Sequence, residues 1–87
     1  MLSTSAILEI RKRCQAATPG PWRASIEGRD HDSGSDVIIT SGNDFEITGA
    51  SPDDYDFIAN ARQDIPILLD EVEELKRLLA ERGPVDR

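Results

Sequence analysis

The sequence predicts an α+β domain: a short N-terminal helix, a three-stranded antiparallel meander and then two C-terminal helices. Three observations support this prediction. Apolar residues recur at helical spacing near both ends, the middle of the chain is β-branched or alternates apolar with polar residues, and a serine–proline helix start follows it. The 87 residues are predicted to form one domain, residues 1–87, with residues 84–87 as a frayed tail.

The first helix is predicted to begin at a Ser3 or Ser5 cap and to run to about Gln15 or Ala17. The segment Thr18-Pro19-Gly20-Pro21 ends it, because proline neither continues a helix nor donates a backbone N–H. Its apolar positions follow three- and four-residue spacing: Ile7, Ile10, Cys14 and Ala17. The basic run Arg11-Lys12-Arg13 is interpreted as the solvated face of this amphipathic helix.

Three segments are predicted to be strands. Residues 22–27 alternate apolar and polar side chains, residues 37–40 are β-branched, and residues 45–48 alternate again. Residues 28–36 hold no apolar side chain and are predicted to form a mobile loop, whose conformation the sequence leaves open. Short connections between the strands favour an antiparallel meander with one face covered.

A second helix is predicted to start at Ser51, with Pro52 in its first position and Asp54 placed as in a capping box. We expect it to break at Gln63-Asp64, because Pro66 disfavours helical geometry at the residue before it.

The last helix is predicted over Asp64 to Gly83, with Asp64 as its cap and an end at Gly83-Pro84. Its apolar residues are separated by three and four positions, which places them on one stripe. We therefore expect a helix-pairing surface that joins copies of the chain into a dimer or a larger oligomer. The predicted interface consists of Ile65, Leu68, Val72, Leu75 and Leu79. The alternative is that this stripe packs only on its own sheet.

Composition narrows the functional classes. Cys14 is the only cysteine and His31 the only histidine, so we expect neither a disulfide nor a zinc site within one chain. No apolar run approaches the length of a membrane span, and no basic segment followed by an apolar one opens the chain. We therefore expect a protein of the host-cell cytoplasm that has no membrane partner.

The net charge of −7 is unevenly distributed. Residues 1–29 carry five basic side chains against two acidic ones, whereas the remainder carries fifteen acidic against five basic ones. An acidic surface of this extent would repel a phosphate backbone, so no direct binding to duplex nucleic acid is expected. A small anionic ligand in a local basic pocket is compatible with this charge.

Catalytic and metal-binding patterns are weak. The acidic residues Asp53, Asp54 and Asp56 are explained by their position in the first turn of a helix, where negative charge is favourable. The segment 30–36 lacks the spacing and the closing glutamate of a calcium loop. His31 lies in the predicted mobile loop and has no ordered nucleophile beside it in sequence. We expect a protein that is not an enzyme and needs neither a metal nor a cofactor.

Four residues are candidates for ligand binding. Trp22 can stack on a nucleobase and Arg23 can hold a phosphate. Arg62 can reach a ligand from the second helix, and Asn60 lies close to it in sequence. The alternative for Trp22 is a core residue, and for Arg62 a salt bridge to Asp56 or Asp64.

Parts of the chain resemble a known group of proteins. The segments 17–22, 56–62 and 64–73, which include Thr18-Pro19-Gly20-Pro21-Trp22 and Asp64-Ile65-Pro66, look like the Ead-like family of small phage and prophage accessory proteins. The resemblance leaves residues 23–50 unmatched, and the last helix here is shorter than in many relatives. It implies a phage origin more than an activity.

The predicted layout is also similar to that of phage sponge proteins that defeat Thoeris defence. These are small oligomers that sequester cyclic ADP-ribose-type signals, and the likeness is one of fold layout. Two hypotheses follow. The first is a homo-oligomer that sequesters a small anionic nucleotide signal of anti-phage immunity, such as a cyclic nucleotide. The second is an accessory interaction protein that inhibits a host protein through its acidic helical surface.

Overall fold

The computed structural model describes residues 2–82. Its elements in chain order are α1 (Thr4–Ala16), β1 (Arg23–Ser25), β2 (Val37–Ile39) and α2 (Pro52–Arg82). The predicted α+β class is confirmed. The molecule is elongated, with extents of 65 × 22 × 20 Å, because the 31 residues of α2 alone span about 46 Å at 1.5 Å per residue.

The first helix lies where the sequence predicts it. The Ser3 hydroxyl accepts a hydrogen bond from the Ala6 N–H over 3.0 Å and so caps α1. The helix ends at Ala16, and the Gly20–Pro21 peptide bond that follows is cis. The proline-rich segment then leads directly into β1.

The sheet has two antiparallel strands, in which Arg23 pairs with Ile39 and Ser25 with Val37. Ala24 and Ile26, predicted on the apolar face of the first strand, are both buried, but so is Ser25, which the alternation places on the opposite face. The buried Ser25 hydroxyl forms a 2.8 Å hydrogen bond with His31 Nδ1. Residues from the sheet and from the start of α2 form the core cluster: Ala24, Ile26, Ile38, Tyr55 and Ala59.

The prediction of a third strand over residues 45–48 is wrong. Phe45 exchanges two backbone hydrogen bonds with Ile38, of 2.8 and 3.1 Å, but this contact is an isolated bridge. Two residues further on, the Ile47 N–H donates to the Tyr55 hydroxyl over 2.9 Å, and that hydroxyl donates to the Ile47 carbonyl over 3.3 Å. The tyrosine of α2 thus takes the backbone groups that a third strand would have used for pairing.

The start of α2 confirms the predicted capping box. The Ser51 hydroxyl accepts from the Asp54 N–H over 3.1 Å, and the Asp54 carboxylate accepts from the Ser51 N–H over 3.0 Å. Pro52 is the first helical residue. The predicted end at Gly83-Pro84 and the predicted tail, residues 84–87, lie outside the described residues.

The prediction of two C-terminal helices separated by a bend is wrong, and so is the prediction that the last helix starts at Asp64. A single helix passes through Pro66. Contacts with the N-terminal part of the chain hold it on both sides of the proline: Arg62 Nε donates to the Thr18 carbonyl over 2.9 Å, and Arg11 forms an ion pair with Asp70 over 2.9 Å. Tertiary contacts therefore outweigh the local cost of the proline, about 3 kcal/mol in a helix interior.

The helix α1 lies antiparallel to the middle of α2. Ile7 of α1 and Leu69 of α2 are the most buried residues of this part, with 4% and 5% exposure. Near the start of α1 the Lys76 ammonium donates to the Leu2 carbonyl over 3.3 Å. One face of α2 is thereby covered by the sheet and by α1. Within residues 2–82, no helix combines the length and the apolar character needed to cross a membrane.

Candidate ligand cleft and exposed helix face

A cleft of about 330 Å³ lies between α1 and α2, beside the start of β1. Its charged lining residues are Arg13 and Arg62, and no acidic side chain lines it. The other lining residues are apolar: Ile10, Cys14, Ala17, Trp22, Ile58, Ala61 and Ile65. In a chain of net charge −7, this is a locally basic and mostly apolar depression. Such a lining suits a planar ligand that carries negative charge.

Trp22 is fixed in one wall of the cleft. Its indole N–H donates to the Thr18 carbonyl over 3.0 Å, and its backbone N–H donates to Gln63 Oε1 over 2.7 Å. The ring packs edge-on against Phe45, with 5.3 Å between centroids and 78° between planes. The side chain is half-buried and packs against the core cluster. The alternative role of Trp22 as a core residue therefore also fits part of its environment.

Arg62 lies over the Trp22 ring, with 5.9 Å from its guanidinium carbon to the ring centroid. Its Nε donates to the Thr18 carbonyl, the same oxygen that the indole contacts. The alternative of a salt bridge to Asp56 or Asp64 does not describe the arrangement among residues 2–82, where Arg29 is the ion-pair partner of Asp56. The structure therefore brings together two of the four predicted ligand residues.

The other two candidates lie elsewhere. Arg23 is exposed on β1 and does not line the cleft. The Asn60 side chain donates to the Asp56 carbonyl one turn earlier in α2, over 2.8 Å, and lines a neighbouring groove that shares Ala61 and Ile65 with the cleft. Arg13, which the sequence places on the solvated face of α1, is the cleft residue that sequence reasoning misses. Its three- and four-residue spacing from Ile10 and Ala17 is the signal that was available.

The predicted oligomer interface is largely uncovered in the single chain. Leu68, Leu75 and Leu79 are 62%, 52% and 59% exposed, and Ile65 is 39% exposed. Val72 is half-buried, in a groove that it shares with Leu2 and Ile7. Large apolar side chains left in water at this spacing are typical of a surface that pairs with another molecule.

One further apolar residue, Phe57, lies on the uncovered side of α2. It is 75% exposed, the highest value among the large apolar side chains described. At about 100° per residue it falls on the same side of α2 as the exposed leucines. We call this set the α2 stripe: Phe57, Ala61, Leu68, Leu75 and Leu79.

The loop after β1 is tied to α2 by charge. Arg29 binds both carboxylate oxygens of Asp56 at 3.0 Å and also contacts Asp30. The Arg29 guanidinium holds the pKa of Asp56 and the pKa of Asp30 below their usual range, and the Ile26 N–H further lowers the pKa of Asp30. These contacts order residues 28–31 against the helix that carries the cleft.

Neither metal binding nor catalysis has an evident site in this part of the chain. Between residues 2 and 82, no group of three or more His, Cys, Asp or Glu side chains is arranged to hold a metal ion. His31 Nδ1 and the Ser25 hydroxyl form a hydrogen bond of 2.8 Å, but Ser25 is only 6% exposed. The hydrogen bond satisfies the buried Ser25 hydroxyl, which a substrate cannot reach.

Comparison with known proteins gives no relative. No protein family matches the chain. No characterised protein and no solved structure matches it either.

Proposed function

We propose that this protein is a non-enzymatic, self-associating binding protein that holds a small anionic nucleotide in the cleft between α1 and α2. One observation carries the proposal. Trp22, Arg62 and Arg13 line one apolar depression that contains no acidic side chain, within a chain whose net charge is −7. Neutral metabolites do not need this pairing of guanidinium groups with an aromatic wall.

The chemistry of the lining suits both parts of a nucleotide. Arg62 lies over the Trp22 ring as a cation–π pair, and a base can add to it by stacking on the guanidinium plane. Arg62 uses Nε for the Thr18 carbonyl, so its terminal nitrogens remain to donate to a phosphate.

Arg13 supplies the second positive charge. Among residues 2–82 it forms no ion pair, whereas its neighbours Arg11 and Lys12 pair with carboxylates of Asp70, Glu73 and Glu9. A guanidinium without a carboxylate partner keeps its full attraction for an anionic ligand. The sequence resemblance to phage proteins suggests which anions to consider, namely the cyclic nucleotide signals of host anti-phage immunity.

Thermal unfolding against a panel of cyclic dinucleotides, cyclic trinucleotides and cyclic ADP-ribose isomers tests the proposal. A ligand at 100 times its dissociation constant stabilises the folded state by about 2.7 kcal/mol. For a chain of this size we expect the midpoint to rise by about ten degrees or more. No shift with any member of the panel would contradict the proposal.

A matched pair of variants locates the site. Arg13→Gln and Lys12→Gln each remove one positive charge from adjacent positions of α1, but only Arg13 lines the cleft. We expect Arg13→Gln to weaken binding about tenfold or more, which corresponds to about 1.4 kcal/mol, and Lys12→Gln to leave it unchanged. Equal losses in both variants would mean that binding follows overall charge and not this cleft.

A second function is favoured by the acidic surface of α2. Asp64 and Glu71 are exposed two turns apart on one side of the helix, and such an acidic surface can occupy a basic surface of a host protein. On this proposal a host protein is retained at low salt and released as salt screens the contact. The variant Asp64→Asn with Glu71→Gln should then lose the partner, and capture that is insensitive to both changes would contradict this function.

A further inference from the structure

The residues of the α2 stripe are evenly spaced about Leu68. Counted from Leu68, Ala61 and Leu75 lie seven residues away on either side, and Phe57 and Leu79 lie eleven residues away on either side. At about 100° per residue, all five lie within about 40° of one another. The stripe therefore presents apolar side chains at matching positions on either side of Leu68, although these side chains differ in size.

The stripe lies beside the face that the chain itself covers, and its C-terminal residues Leu75 and Leu79 line a groove with Leu2 and Ile7. Leu69, 5% exposed beneath α1, lies about 100° around the helix from Leu68. Four of the five stripe residues are between 52% and 75% exposed. Ala61 is half-buried and is also a lining residue of the cleft. The stripe and the cleft thus meet at Ala61.

We propose that α2 pairs antiparallel with α2 of a second copy, across a twofold axis at Leu68, and that the second copy covers the cleft. In this register Leu68 contacts its own equivalent, Phe57 contacts Leu79 of the second copy, and Leu75 of the second copy packs on Ala61. A bulky leucine opposite a small alanine lets the helices approach closely. The contact is isologous, as a twofold dimer requires.

Charge selects the antiparallel orientation over the parallel one. The first turn of α2 carries Asp53 and Asp54, and its last turn carries Arg82. Arg77 does not contribute, because it is already paired with Glu74 and Glu81 of its own helix. Antiparallel pairing sets the acidic start of each helix against the basic end of the other, and Asp54 then faces Arg82 of the second copy. Parallel pairing would set acid against acid and oppose like ends of the helix dipole.

The consequence for the cleft follows from Ala61. Because Leu75 of the second copy sits on Ala61, it closes the side of the cleft that one chain leaves open. The site is incomplete without the second copy, and a bound ligand is shielded from water by it. This inference rests on the self-association in the proposed function but not on the identity of the ligand.

Disulfide crosslinking between separately prepared single-cysteine variants tests the register. In a Cys14→Ser background, Phe57→Cys and Leu79→Cys are oxidised alone and as an equal mixture. We expect crosslinked dimer only in the mixture, because position 57 meets position 79 of the other copy. Both changes leave the central residues of the stripe intact. As a control, Phe57→Cys mixed with Glu81→Cys should not crosslink, since position 81 lies off the stripe.

The other outcomes overturn the inference in distinguishable ways. Crosslinks within each variant alone would show parallel pairing, and the register would fail while self-association stands. A chain that scatters light as a single copy and forms no crosslink in any combination would remove self-association as well. Ligand binding by the thermal assay is measured independently, so the loss of the register does not decide it.

Discussion

The helix α2 carries two apolar faces, of which one is buried and the other is exposed. On one face Tyr55, Ala59 and Leu69 are 1–5% exposed beneath the sheet and α1. On the other, the exposed members of the α2 stripe keep 52–75% of their surface in water. Both faces consist of similar side chains at similar spacing, so hydrophobicity alone does not distinguish them. The first face has a partner within the chain, and on our proposal the second face finds one in a second copy.

A chain of this length explains why one helix carries both faces. Small domains bury only about 60% of the surface that their unfolded chains expose. Here the core cluster contains five fully packed residues, and the molecule is extended, with a radius of gyration of 17.8 Å. A compact chain of the same length would have a radius of about 12 Å. Association of two copies adds the apolar burial that a single copy lacks.

The largest expected effect on stability comes from truncating a buried side chain on the covered side. Ile38 is fully buried, and Ile38→Ala should lower the free energy of unfolding by about 2–5 kcal/mol through lost burial and a cavity. Leu79→Ala is the matched control on the α2 stripe and should cost less than about 0.5 kcal/mol. Urea unfolding, at a concentration where light scattering gives the single-chain mass, measures both. Equal losses would contradict the distinction between the two faces.

Sequence reasoning located the elements well where local rules decide. The Ser51 and Asp54 capping box and the Ser3 cap follow from side chains that satisfy nearby N–H groups, and both are present. The absence of a third strand does not follow from such local rules. It depends on Tyr55, eight residues after Ile47, whose hydroxyl accepts a hydrogen bond from the Ile47 N–H.

The same limit applies to the cleft and to the continuity of α2. The neighbourhood of Trp22 and Arg62 was predicted, but Arg13 was not, because only the packing of α1 on α2 decides which flank of α1 faces the cleft. The break expected at Pro66 follows a valid local rule. It fails because contacts from α1 and from Thr18 hold both sides of the proline.

A smaller effect of opposite sign is expected at Pro66. Pro66→Ala removes the cost of about 3 kcal/mol that proline imposes in a helix interior. The substitution also makes the unfolded chain more flexible, which lowers the free energy of unfolding by up to about 1 kcal/mol. We expect a net stabilisation of about 2 kcal/mol with both apolar faces unchanged. Urea unfolding measures it, and dimer mass serves as the control. A destabilised variant would show that the proline shapes the helix for one of its faces.

The smallest effect concerns the ion pairs that tie the loop to the covered side. Because Arg29 lowers the pKa of Asp30 and of Asp56, their contribution to stability is present above the ordinary carboxyl pKa, near about 4. It is lost as the pH falls through the lowered values. Arg29→Gln should therefore be less stable than the wild type at pH 7, with a gap that narrows below about pH 4.

Thermal midpoints across this pH range measure the gap, and Arg13→Gln, which removes the same charge outside an ion pair, is the control. A gap for Arg29→Gln that is independent of pH would show that packing of the arginine stem, and not its charge, accounts for the effect.

The mass of the protein in solution tests most directly whether the exposed face of α2 is an interface between copies. By light scattering over a range of concentrations, the wild type should approach twice the 9.6 kDa of one chain and dissociate on dilution. Leu68→Asp, which places two like charges at the twofold axis, should remain at the single-chain mass with unchanged helix content. A wild type that stays at 9.6 kDa up to its highest soluble concentration, or a Leu68→Asp variant that still doubles its mass, would contradict the account.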